Sequence, residues 1–95
     1  MSHIDIRANH ELPHAQAKAA AEELASDLAR KFDIEYRWEG DHIHFERPGA
    51  DGRITVGEQQ IHITARLGLL LVFLRPRIED EVIRYLSEHF GCTFP

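Results

Sequence analysis

The sequence predicts an α+β domain in the order β-α-β-β-β-β-α, with a single antiparallel sheet packed on one face by two helices. Two stretches, from Pro13 to about Lys31 and from Pro76 to Phe90, carry apolar residues at helical spacing. Between them, four short runs alternate apolar with polar residues and are parted by turns containing Gly or Pro. Ninety-five residues suffice for one hydrophobic core and not for two, so 1–95 is expected to be a single domain.

The first strand is His3-Ile4-Asp5-Ile6-Arg7, with Ile4 and Ile6 facing the core. The first helix follows Pro13, a residue suited to a first helical turn, and its stripe is Ala17, Ala21, Leu24, Leu28 and Phe32. Much of that stripe is alanine, which lets helix and sheet approach closely but buries little area per residue. Ile34, Tyr36 and Trp38 then alternate with charged residues. Gly40-Asp41 reads as a two-residue II′ turn, and Ile43 and Phe45 alternate with His42, His44 and Glu46. The hairpin register sets Trp38 opposite Ile43 and Tyr36 opposite Phe45 on the buried face, with Glu39 opposite His42 and Arg37 opposite His44 outside.

A loop, Arg47 to Gly52, is expected to lead into the next strand, with Ile54 and Val56 pairing with Phe45 and Ile43, and Arg53 meeting Glu46. Gly57-Glu58-Gln59 turns the chain again. Ile61, Ile63, Ala65 and Leu67 form the inward set of the last strand, which takes the first strand as its other neighbour. A slip of one residue would exchange every core residue for a charged one, so the faces are strongly specified. The final helix repeats Ile78, Val82, Leu86 and Phe90, with Ile83 widening the stripe, and Gly91 lies just beyond its end.

A net charge of −5 lacks the basic stripe that phosphate neutralisation requires, which argues against a nucleic-acid partner. The single cysteine, Cys92, forms no internal disulfide and the first ten residues contain no apolar signal region, both of which favour the cytoplasm. The longest apolar run is far shorter than the roughly 20 residues a membrane-spanning helix needs.

Several stretches together carry a resemblance. They are Ser2-His3-Ile4-Asp5-Ile6, then Trp38-Glu39-Gly40-Asp41 followed by His44-Phe45-Glu46-Arg47-Pro48-Gly49, and finally Leu67-Gly68 through Ile78-Glu79 to Arg84-Tyr85-Leu86. In this order they resemble the polyhydroxyalkanoic acid system family, small bacterial proteins associated with genomic regions for storage-polyester metabolism. The resemblance implies an accessory role at polyhydroxyalkanoate granules and brings no catalytic residues with it. The element order is also similar to a shortened helix-grip domain, the fold of many small-ligand carriers, which is an analogy of fold alone.

Four constellations invite chemistry. His42 and His44 share one face of a strand, but His62 lies two strands away, about 9.6 Å at the usual spacing, with Thr55 between. Solvated outer-face histidines are therefore expected, with no metal and no cofactor. Cys92 near His89 lacks any group to orient it as a nucleophile, and a structural thiol is the simpler reading. The carboxylates Glu22-Glu23 and Glu79-Asp80-Glu81 read as solvated helix faces, leaving no catalytic residues to assign.

The fourth is the run Leu67 to Leu74, where alternation stops and seven of eight residues are apolar. One sheet face cannot absorb them all. Leu69, Leu70, Leu71, Val72, Phe73 and Leu74 are therefore candidate contact residues for a granule surface, a granule-associated protein or a homodimer. The function expected is a non-enzymatic accessory protein acting by binding. The alternative is a carrier holding an acyl or hydroxyacyl ligand between sheet and final helix, near Tyr36, Trp38 and Phe45.

Overall fold

The computed structural model describes residues 2–91, so Cys92 and the thiol reading attached to it lie outside the described residues. Five strands form one antiparallel sheet in the order β1-β5-β4-β3-β2: β1 (Ser2–Asn9), β2 (Glu35–Glu39), β3 (His42–Arg47), β4 (Ala50–Val56) and β5 (Gln60–Leu67). Helices α1 (His14–Phe32) and α2 (Arg75–Tyr85), with the turn Leu86–Phe90 that follows α2, add the other buried apolar residues, and the element order is the one the sequence predicts. The buried set from the sheet is Ile4, Ile6, Ala8, Ile43, Phe45, Ile54, Val56, Ile61, Ile63 and Leu67. The expected α1 stripe is also buried, joined by Ala25.

The β2–β3 hairpin has the expected register, with Trp38 opposite Ile43 and Tyr36 opposite Phe45. Gly40 has φ +61°, while Asp41 does not have positive φ, the pattern of a II′ turn. The first strand pairs with β5 along eight residues, including Ile4 with Ala65 and Ile6 with Ile63.

The next hairpin departs from expectation by two residues. Ile43 faces Ile54, Phe45 faces Gly52, and His44 faces Arg53, whereas Val56 closes the far end through its N–H to Asp41 O at 2.9 Å. The cause is the turn. Pro48-Gly49 reverses the chain in two residues, with Gly49 at φ +87°, so residues expected in a loop join β4. A slip of two keeps every side chain on its face, so the core set is unchanged.

The last helix is also corrected. It is α-helical only to Tyr85 and continues as a π turn over Leu86–Phe90. Apolar residues spaced by four drift about 40° per step around an α-helix, and a wider turn offsets that drift. Leu86 and Phe90 thus stay buried with Val82, while Ile83 stands outside the stripe at 41% exposure.

α1 ends at Asp33, whose left-handed φ of +56° lets its N–H bond to Ala29 O. A short polar residue tolerates that conformation. The corner brings Phe32 and the chain beyond it to the end of the sheet where β3 turns into β4, and Arg47 fixes the junction by donating to Phe32 O at 2.8 Å.

Candidate interaction surface

At that same end, β5 stops at Leu67 and the apolar run becomes a 3-10 segment, Leu69–Leu74. Gly68 donates its N–H to Gly49 O at 2.8 Å, and Leu71 N–H donates to Gly68 O at 2.9 Å. The segment is thereby anchored to the β3–β4 turn. Residues three apart in a 3-10 helix lie on one line, which sorts the six side chains into three faces. Leu71 and Leu74 point inward and pack on the core. Leu70 and Phe73 point outward, 87% and 72% exposed, while Leu69 is 77% exposed and Val72 stands at the margin. The six candidate contact residues are thus two lid residues and an outward apolar group.

Beneath Leu71 and Leu74 lies an apolar void of about 50 Å³, lined also by Leu28, Phe32, Phe45 and Ile78. A ligand pocket usually has about 300 Å³ or more. Of the three residues named for a carrier pocket, Phe45 borders this void, whereas Tyr36 and Trp38 are drawn to α1. Trp38 donates its indole N–H to Glu22 Oε1 at 2.8 Å, and the Tyr36 hydroxyl donates to Glu22 Oε2. That bond to Glu22 holds the Tyr36 hydroxyl proton on, raising its pKa. Lys18 completes the clamp, its ammonium 5.0 Å from the Trp38 ring and 3.4 Å from Asp41, which also meets His14 Nε2 at 3.0 Å. The His14 contact is the chief reason the Asp41 carboxyl sits below its ordinary pKa.

Glu22 corrects the sequence reading, being half-buried between helix and hairpin rather than solvated. Its neighbour Glu23 is exposed and accepts from the Tyr85 hydroxyl at 3.0 Å. The signal for Glu22 was its i, i+4 spacing from Lys18, beside the alanine stripe and across from two aromatic donors. His10 was missed altogether. Its buried ring accepts from Leu12 N–H at Nδ1, 3.2 Å, and donates from Nε2 to Gly57 O, 3.0 Å, while its edge meets Phe90.

On the outer sheet face the register places Thr55 between His42 and His62. The imidazoles turn to different partners: His42 Nδ1 is 3.0 Å from Thr55 Oγ1, His62 Nε2 is 2.8 Å from Asp5, and His44 Nε2 is 3.5 Å from Glu39. Among the described residues, no group of three or more His, Cys, Asp or Glu could hold a metal ion. His89 stacks on Tyr85, with ring centroids 4.2 Å apart. Among the described residues, no helix is long and apolar enough to cross a membrane.

These features define a small α+β domain whose most distinctive surface is an anchored, outward-facing apolar turn. A family model described as "Putative polyhydroxyalkanoic acid system protein" (PHA_gran_rgn) matches residues 4–90, and the chain belongs to that family. No curated protein matches the chain. Its fold is similar to the NMR structure of PA4090 from Pseudomonas aeruginosa, with a TM-score of 0.53 at 9% identity over 100% of this chain and 96% of that one. That likeness concerns the fold alone.

Proposed function

We propose that this protein is a non-enzymatic accessory component of the polyhydroxyalkanoate granule system, cytoplasmic, and that it works by binding through the Leu69–Leu74 segment. The observation that carries the reading is the outward exposure of Leu69, Leu70 and Phe73 on a segment anchored from below. Three large apolar side chains left in water are costly, and covering a patch of a few hundred Å² contributes of the order of 5 to 10 kcal/mol before the entropic cost of association. Family membership supplies the setting. The void of about 50 Å³ offers an acyl chain too little room, which favours surface binding over carriage.

The test is fractionation of cells that store the polymer. The protein is expected in the granule fraction, and its full recovery in the granule-free supernatant would contradict the reading.

A further inference from the structure

One edge of the sheet is open. β1 pairs with β5 on one side only, along eight residues in unbroken register, and it contains neither Pro nor Gly. Such an edge offers its free N–H and C=O groups to another strand. His10 donates its N–H to Gln59 O, on the β5 side. Backbone groups alternate sides along a strand, so those of His3, Asp5, Arg7 and Asn9 point to the open edge. β2, at the other edge, is five residues long.

The side chains of β1 suit a second copy of the same strand. When two antiparallel β1 strands meet about a two-fold axis at Ile6, Asp5 of each faces Arg7 of the other, and His3 faces Asn9. An axis at Asp5 or at Arg7 would set like charges opposite each other. Within one strand Asp5 and Arg7 already lie 3.7 Å apart. Pairing about Ile6 joins the two pairs into a ring of alternating charges, and the facing odd-numbered residues exchange about eight backbone hydrogen bonds.

α2 adds an independent observation. Glu81 and Tyr85 reach α1, through Lys31 at 2.8 Å and Glu23 at 3.0 Å, while Val82 and Leu86 are buried. Ile83 follows Glu81 by two steps of about 100° and so stands on the side of α2 away from α1. Because α1 packs over β4 and β2 and α2 over β1, that side is the one toward the open edge. α2 also runs along β1, for Ile78 and Ile4 border the same void and Phe90 meets His10. At about 1.5 Å per helical residue and about 3.3 Å per strand residue, Ile83 comes level with Ile6, where the axis passes. An isoleucine exposed at that place is covered once a second α2 lies beside it.

Going beyond the binding role of Leu69–Leu74, we propose that the protein is a two-fold homodimer joined edge to edge through β1, with Ile83 of each copy meeting its counterpart above the Ile6 pair. The two sheets become one continuous sheet with all helices on the same face. Both copies use the same edge, so assembly stops at two. The apolar segment leaves β5 toward Gly49, on the β4 side, and stays free in each copy.

Sedimentation equilibrium of the full chain tests this, with wild type expected to dimerise in the micromolar range. Asp5→Arg and Arg7→Asp each gather like charges about the axis, and each is expected to weaken the dimer by about tenfold or more. An equimolar mixture of these two variants sets Asp opposite Arg again and is expected to re-form dimers, a rescue that misfolded chains would not give. Ile83→Lys is expected to weaken the dimer while the circular dichroism matches wild type, since the side chain is exposed in the single chain. A wild type that stays monomeric throughout that range, a dimer unaffected by Arg7→Asp or by Ile83→Lys, or a mixture that fails to pair overturns the proposal.

Discussion

Leu71 lies against Gly49, and a β-carbon at Gly49 would stand 3.2 Å from Leu71 Cδ1. The β3–β4 turn is thus the floor on which the apolar segment rests, and Gly49 serves twice, through its φ of +87° and its lack of a side chain. Gly49→Ala is expected to lose about 1 to 2 kcal/mol, a fall of several degrees in melting temperature. An unchanged melt would show that the turn is not held in this conformation.

The faces of the sheet are tested by neighbours in sequence. Ile43 is fully buried and His44 lies on the outer face beside Glu39. Ile43→Asp places an unpaired charge in the core and is expected to cost more than about 3 kcal/mol, enough to unfold much of the population. His44→Asp is expected to stay within about 1 kcal/mol of wild type. Similar melting curves for the two would contradict this assignment of faces.

That register was legible because alternation sets the faces of Tyr36, Trp38, Ile43 and Phe45, and the two-residue turn Gly40-Asp41 sets their pairing. The pairing of β3 with β4 was not, since shifting Ile54 by two residues preserves its face and only the turn length decides. The turn residues from Arg47 to Gly52 read as a loop, whereas Pro48-Gly49 alone makes the turn, with its positive φ at the second residue. The excess of apolar residues after Leu67 was visible as composition. Which of them face out was not, because a three-residue period and a four-residue period assign Leu71 and Phe73 differently. Glu22 was read as solvated and His10 was not singled out, because a pattern of apolar residues carries no information about the polar ones packed against them.

His10 tests that last class. His10→Ala leaves Leu12 N–H and Gly57 O without their side-chain partner and opens space beside Phe90. A loss of about 2 to 4 kcal/mol is expected in chemical denaturation. A loss no larger than that of an exposed histidine would show that the ring does not hold the two loops together.

The two tyrosines of the chain give a pH test. Tyr36 is held protonated chiefly by its bond to Glu22, and Tyr85 by burial and then by Glu23, so both pKa values are raised. Raised values mean that their stabilisation is fully present below the unfolded value near 10 and is lost as the pH rises through the folded values. Phenolate absorbance is therefore expected to lag behind that of free tyrosine while the fold persists. Titration of either tyrosine near pH 10 in the folded protein would contradict the bonds to α1.

The central claim is that the outward side of Leu69–Leu74 is a binding surface and its inward side is core. Binding of the purified protein to isolated polyhydroxyalkanoate granules, compared between wild type and the double substitution Leu70→Ser and Phe73→Ser, tests it most directly. The account predicts matching melting temperatures and at least about a tenfold loss of granule affinity in the variant. Equal affinity, or a variant that unfolds like a core mutant, would contradict it.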